Sequence, residues 1–286
     1  MTPASENGKY EEFQPSSDFA YAFGLAYSDH IRETAEPIPS KPVIFLKQGK
    51  ACVEQRTVKT PTKDELIAAV KSADSTLATQ IEELRDAIGP MLDYEIELGV
   101  QILEDCTFDD LRAGATLPRI GYFLANDVTS RTVQLMGQLS EDRLHCWSAC
   151  KSFDGFFPCA DKLWVPNEAY REELPEVTLE LRVNGEVRQH EPTSSLIYSP
   201  RELLMHTMAF SKDRRLNAGD LIVTGTPAGV TFQVNRTKRM LAKLLPASFL
   251  VKRILAAGRS NPRYLQPGDV VEANAGWLGQ HRFEIA

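Results

Sequence analysis

The chain has 286 residues, of which 43% are hydrophobic and 25% charged, the balance of a soluble globular protein that can bury a normal core without disulfide or metal staples. Its formal net charge of −7 argues against nucleic acid as the main partner, because phosphate binding wants a basic surface. Five cysteines (Cys52, Cys106, Cys146, Cys150 and Cys159) are an odd number without a CxxC pair, which points to free thiols in a reducing compartment. His145, Cys146, Cys150 and Cys159 match no zinc spacing.

The N-terminus, MTPASENGKYEEF, is polar and lacks a signal-peptide pattern, and no apolar run is long enough to form a transmembrane segment. A cytoplasmic protein with a loosely ordered stretch over 1–18 is the expectation. KPVIFLKQ (41–48) reads as a short buried strand opened by Pro42. Residues 60–90 read as helix, with Thr62 and Glu65 as a capping box and Gly89-Pro90 as its stop. From residue 92 strands dominate. GYFLANDVTSRTVQ (121–134) reads as a strand that runs into a turn or helix start. VTLELRVNGEVRQH (177–190) reads as a hairpin turning at Asn184-Gly185. SPRELLMHTMAF (199–210) reads as a helix with Ser199 as N-cap and Pro200 in its first turn. NAGDLIVTGTPAGV (217–230) reads as turn, buried strand and glycine-containing loop, and 266–285 repeats the Gly-Asp-then-apolar pattern. Between them, 235–264 carries eight Lys or Arg and no acid. That stretch reads as an insertion packing on its own protein or a lid attracting an anion, rather than as a basic amphipathic helix for a membrane surface or acidic partner.

The stretch LDYEIELGVQ (92–101) places Glu95 and Glu97 on one face if it is a strand, because residues i and i+2 point the same way. Two carboxylates side by side repel unless a cation lies between them or one is protonated. Asp127 ends an apolar strand in LANDVTSR and supplies a third carboxylate. Three such groups without accompanying His or Cys form a hard oxygen site suited to Mg²⁺, Mn²⁺ or Ca²⁺. In SDHIRE, His30 and Glu33 would share one face at i and i+3 if 28–34 is helical, a candidate water-activating pair. Lys151 lies among apolar and aromatic residues, either snorkelling from a core edge or aimed into a cavity. The TGTPAGV loop offers the Thr226 hydroxyl and backbone N–H groups near Gly225 and Gly229, a cradle for a carboxylate. GxGxxG, HExxH, GxSxG and the GK[ST] ending of a P-loop are absent.

Taken together, YSDHIRE, EIELGV, GYFLANDVTSRTVQ, KSFDGFFP, VNGEVRQ, GDLIVTGTPAGV and QPGDVVEA resemble the fumarylacetoacetate hydrolase superfamily, in family order and with its thirty-residue step from Glu97 to Asp127. The resemblance implies an α+β, β-rich roll with a mixed sheet, helical insertions and a homodimeric assembly. It implies an N-terminal segment over 1–60 that carries the lid pair, and a catalytic domain over 61–286 with 235–264 inserted. It makes Glu95, Glu97 and Asp127 the divalent-metal ligands. Lys151 becomes the lysine that holds substrate and stabilises developing enolate charge. Arg131, Gln134 and Thr226 become contacts to the carboxylate or oxo groups, and His30 with Glu33 the pair that activates water. The implied partner is a small oxo acid, and the implied reaction is hydrolysis of a C–C bond in a 2-oxo or 1,3-dioxo acid with the metal polarising the carbonyl. The alternatives are decarboxylation, isomerisation or dehydration on the same site, and a non-catalytic binding protein on this fold.

The sequence departs from the family pattern at three places. Leu25 and Ala26 replace polar residues of a GRNY-type stretch, Thr132 stands where aspartate is common, and PCADKLW follows in place of Gly-Pro. Together with the long 60–90 and 235–264 segments, these predict an enlarged, more apolar pocket.

Overall fold

The run that opens at Ile96 becomes the centre of the molecule. In the computed structural model, which describes residues 4–29, 41–53, 55–232 and 246–286, strand Ile96–Ile102 is buried at every residue. It pairs antiparallel with Ile120–Asn126 on one side and with Leu221–Val223 on the other. The large sheet continues outward in the order Gly8–Glu12, Lys162–Pro166, Ile120–Asn126, Ile96–Ile102, Leu221–Val223, Phe19–Gly24, Val43–Gln48. Leu221–Val223 runs parallel to Phe19–Gly24, so the sheet is mixed. A five-stranded sheet is ordered Glu186–Pro192, Thr178–Val183, Val270–Asn274, Gln280–Ile285, Thr57–Val58. The α+β class with mixed sheet and added helices holds.

Alternation decides what each face of the large sheet buries. Leu98, Val100 and Leu124 join Leu181, Val271 and Phe283 of the small sheet in one core cluster, and each such side chain contributes roughly 1.5–3 kcal/mol. The opposite face of the large sheet is built from smaller residues: Ala20, Ala22 and Ala125 sit there with Phe45, Phe123 and Phe157. Gly99 lies opposite Phe123 in register, and a Cβ at Gly99 would come within 2.3 Å of that ring. Small side chains on this face leave room for charged ones.

Most of the expected elements form. Val43–Gln48 is a strand, and Thr178–Val183 with Glu186–Pro192 is the hairpin, turning through Asn184 and Gly185 at φ 51° and 81° as a two-residue turn with both central φ positive requires. Ser199 caps Pro200–Phe210 with a full capping box. The 60–90 stretch starts at the Thr62 capping box but is two helices, Lys63–Ala73 and Ala78–Leu84. Asp74 ends the first by turning extended and accepting from the Thr76 N–H instead, the side-chain competition that makes Asp a poor helix interior residue.

Two expectations need correcting or dividing. The loosely ordered 1–18 stretch contains strand Gly8–Glu12, paired over five residues with Lys162–Pro166. GKYEE lacks apolar alternation because it is an edge strand with solvent on one side, where charge blunts further pairing. The basic segment 235–264 is described only from 246. There, Ala247–Gly258 is a helix whose Val251 and Leu255 are buried in a cluster with Leu66, Ile81, Met91 and Leu135. This half packs on its own protein, and residues 235–245 lie outside the described residues. No described helix is long and apolar enough to cross a membrane.

Candidate metal centre

The register of two neighbouring strands assembles the acids. Glu97 lies opposite Ala125, and one step further out the Asp127 N–H donates to the Glu95 carbonyl at 2.8 Å. Glu95 and Glu97 share a face by the i, i+2 rule, and Asp127 shares it through Ala125. One carboxylate oxygen from each lies within 4.8 Å of the others, and all three residues are buried. Among the described residues this is the one group of three His, Cys, Asp or Glu side chains so arranged. The five cysteines are all unpaired thiols.

Three cations meet two of the three acids, Glu95 and Asp127. Lys151 Nζ lies 2.6 Å from Glu95 Oε2 and 2.6 Å from Asp127 Oδ2. It also donates to the Thr129 hydroxyl at 2.9 Å. Lys151 follows the short helix Arg143–Ala149 and is 4% exposed, so it points inward rather than snorkelling out. Arg131, the first residue of helix Arg131–Met136, places Nη2 2.6 Å from Glu95 Oε1. The third cation, Lys47, was legible in the sequence only as the polar end of a strand. It is fully buried, with Nζ 2.8 Å from Asp127 Oδ1. It also donates to the Lys151 carbonyl and, at 3.1 Å, to the Phe156 carbonyl. Lys47 and Phe45 alternate onto the face that carries Ala125; a lysine in phase with a buried phenylalanine was the available signal.

Asp93 is a second buried charge beside the site that its own stretch of sequence does not single out. Its buried carboxylate accepts from Arg131 Nε at 2.8 Å. Its signal was an acid in phase with Glu95 and Glu97.

The electrostatics follow from burial. Burial first, then the neighbouring Asp127 and Glu95, push the Glu97 carboxyl well above the usual carboxylate range, against the opposing pull of Lys151 and of the Gly225 N–H. Burial pulls the Lys151 ammonium down, but Asp127 and Glu95 outweigh it and hold it above the ordinary lysine value. Arg131 behaves the same way, with Asp93 and Glu95 as the opposing charges. Cys150 is pushed up to about 12 by burial, so it is an inert thiol beside the site.

The residues present fit a divalent cation. The donor set is all carboxylate oxygen, the hard-cation type. Asp127 Oδ1 and Arg131 Nη2 are buried without an aligned hydrogen bond, although each has an ionic partner. The charge crowding that raises the Glu97 pKa is the situation a cation would relieve.

The other expected site residues fall as follows. Gln134 Oε1 accepts from Arg131 Nη1 at 2.9 Å. Thr226 donates to the Ile96 carbonyl at 3.1 Å and accepts from Gln189 Nε2 at 2.8 Å. The loop does cradle a carboxylate, but one of the protein's own: the Gly225 N–H donates to Glu97 Oε2 at 2.8 Å. Gly225 has φ +87°, and a Cβ there would meet the Phe23 carbonyl at 2.9 Å and the Ala26 methyl at 3.2 Å. Ala26 thus packs against the Gly225 backbone whose N–H holds Glu97. Leu25 takes φ 58°, a left-handed conformation uncommon for leucine. Thr132 donates to the Gly89 carbonyl. His30 and Glu33 lie outside the described residues.

The model of the fumarylacetoacetate hydrolase C-terminal domain matches residues 20–286. The chain is 30% identical over 266 residues to a 2,4-didehydro-3-deoxy-L-rhamnonate hydrolase from Sphingomonas sp., covering 93% of this chain and 72% of that protein. It is 32% identical to the mitochondrial oxaloacetate tautomerase FAHD1 of Bos taurus, covering 72% of this chain and 78% of that protein. A fumarylpyruvate hydrolase from Pseudomonas aeruginosa, solved with Mn²⁺ and pyruvate, shares the fold at a TM-score of 0.61 and 19% identity, covering 98% of this chain and 96% of that one.

Proposed function

The chain belongs to the fumarylacetoacetate hydrolase family, and on that premise we propose that it is a divalent-metal-dependent enzyme that hydrolyses a C–C bond in a 2-oxo or 1,3-dioxo carboxylic acid. The observation that carries this reading is the cluster of Glu95, Glu97 and Asp127 within 4.8 Å, with Lys151 and Arg131 each 2.6 Å from Glu95. Glu95, Glu97 and Asp127 would hold Mg²⁺ or Mn²⁺, whose chemistry there is Lewis-acid polarisation of a carbonyl oxygen.

This chain's own side chains do the rest. Lys151 and Arg131 are buried cations facing the cluster; with a divalent ion on the acids, donors they now give to Glu95 and Asp127 would turn to carboxylate and oxo oxygens where charge develops, in a site of low dielectric. Gln134 holds one edge of the Arg131 guanidinium. The Gly225 N–H keeps Glu97 oriented. His30, oriented by Glu33, takes a proton from water as the water oxygen attacks the acyl carbon; the C–C bond then breaks, its electron pair leaves as an enolate facing Lys151 and Arg131, and the proton returns from His30 to the enolate carbon. A homodimeric assembly is part of the same reading.

The relatedness to an oxaloacetate tautomerase favours one second reading, tautomerisation or decarboxylation of a 2-oxo acid without attack by water. The two separate by product analysis on an acylpyruvate and on oxaloacetate with His30→Ala. If hydrolysis is the native reaction, the wild type releases pyruvate from the acylpyruvate, and His30→Ala loses that activity by about 10²-fold or more. A wild-type protein that converts oxaloacetate and leaves every acylpyruvate intact contradicts hydrolysis.

A further inference from the structure

Asp93 sits two residues before Glu95 and is completely buried, yet it is not part of the acidic cluster. Its oxygens are saturated. Oδ1 accepts from the Tyr94 N–H at 3.1 Å and the Thr231 N–H at 3.0 Å. Oδ2 accepts from the Phe232 N–H at 3.1 Å and from Arg131 Nε at 2.8 Å. Four donors meet the roughly four lone-pair sites of a carboxylate. No acceptor capacity is left for a ligand, so Asp93 can influence the site only through what it holds.

What it holds is one edge of Arg131. A guanidinium presents its five N–H donors in a rigid planar fork. Asp93 takes Nε and Gln134 takes Nη1 at 2.9 Å, so the plane is fixed from two edges. The remaining corner, Nη2, lies 2.6 Å from Glu95 Oε1 as an ion pair without an aligned hydrogen bond. The same carboxylate ties down Thr231 and Phe232, which follow the loop that touches Glu97 through Gly225.

We propose that Asp93 is a positioning residue: it orients Arg131 so that Nη2 faces the acidic cluster and captures an oxygen of an anionic ligand bound there. The proposal rests on the reading of the cluster as a metal and oxo-acid site. Asp93 adds a determinant of ligand affinity that touches neither metal nor ligand.

The test uses the full chain, Mn²⁺ alone, and oxalate as a chelating probe added to Mn²⁺-saturated protein, followed by calorimetry. Asp93→Asn keeps size and one oxygen acceptor for the backbone but removes the ionic partner of Nε. Expected is an oxalate affinity at least about tenfold weaker, the order of one charge-assisted hydrogen bond, with Mn²⁺ affinity changed less than about threefold. In an Arg131→Ala background the same substitution should add almost nothing, because its effect passes through Arg131. Unchanged oxalate binding in Asp93→Asn overturns the proposal alone, as does an equal loss in the Arg131→Ala background. A wild-type protein that binds no oxalate in the presence of Mn²⁺ overturns the site reading and the proposal with it.

A second measurement needs no substitution at Asp93. In wild-type protein labelled with ¹⁵N-arginine, the Arg131 Nε–H signal, assigned by its loss in Arg131→Lys, should exchange slowly and keep its shift on adding Mg²⁺ and oxalate, while the Nη signals move. An Nε–H that exchanges like a solvent-exposed arginine, or that shifts as far as Nη, contradicts a fixed edge.

Discussion

Lys47 and Asp127 form an ion pair at 2.8 Å with side-chain exposures of 0% and 1%, so the third acid of the cluster is held on one oxygen by a cation the solvent never reaches and on the other by Lys151. Breaking a buried pair by removing one partner leaves an uncompensated charge and costs about 3–5 kcal/mol. In Lys47→Met the carbonyls of Lys151 and Phe156 also lose a donor. Thermal unfolding of metal-free Lys47→Met should show a stability loss of that order. Saturating Mn²⁺ should restore part of it, because a cation on Asp127 offsets the missing lysine. A loss that Mn²⁺ leaves untouched would separate Lys47 from the cluster.

Glu97 gives the metal-free protein a pH dependence of definite sign. Its pKa is raised in the fold above the ordinary value of 4.5, so between those two values the folded state binds more protons than the unfolded one. Stability from this group is therefore full below about pH 4.5 and is lost as pH rises through the folded value. Thermal midpoints across that range should fall more steeply for the wild type than for Glu97→Gln. Saturating Mn²⁺ should flatten the wild-type slope, since the ion favours the charged carboxylate. Parallel slopes for the two proteins would show that Glu97 is not the group involved.

His281 works in the opposite direction, away from the cluster. It is buried on the inner face of strand Gln280–Ile285, stacked on Phe283 at 6.0 Å. Neither ring nitrogen has a hydrogen-bond partner among the described residues. Burial lowers its pKa to about 4, so the fold keeps it neutral. A depressed basic group contributes stability above its unfolded value and loses it as pH falls through the folded one. Between about pH 6.5 and 4 the loss is on the order of 3 kcal/mol. His281→Phe should unfold at a lower pH than the wild type in an acid titration followed by circular dichroism. An acid midpoint that does not move contradicts this.

How much of this the residues announced depends on whether their pattern was local. The Thr62 and Ser199 capping boxes, the Asn184-Gly185 turn and the i, i+2 step from Glu95 to Glu97 are short-range signals, and each puts its residues where the local pattern does. Asp127 joins the two glutamates through the pairing of Ile96–Ile102 with Ile120–Asn126. Asp93 and Lys47 were missed because a charge in a sequence reads as solvent-facing. Only the pairing of Val43–Gln48 with Phe19–Gly24 brings Lys47 onto the face of Ala125. Strand Gly8–Glu12 was missed because an edge strand with one wet face has no apolar alternation to read. Its partner lies about 150 residues away.

Calorimetric titration of chelator-treated protein with Mn²⁺ tests most directly whether Glu95, Glu97 and Asp127 form a divalent-metal centre. The expected result is one site per chain in the wild type and a fall in affinity of about 30-fold or more, roughly 2 kcal/mol, for Glu97→Gln and for Asp127→Asn alike. A wild-type chain that takes up no Mn²⁺ or Mg²⁺, or variants that bind as tightly as the wild type, would contradict it.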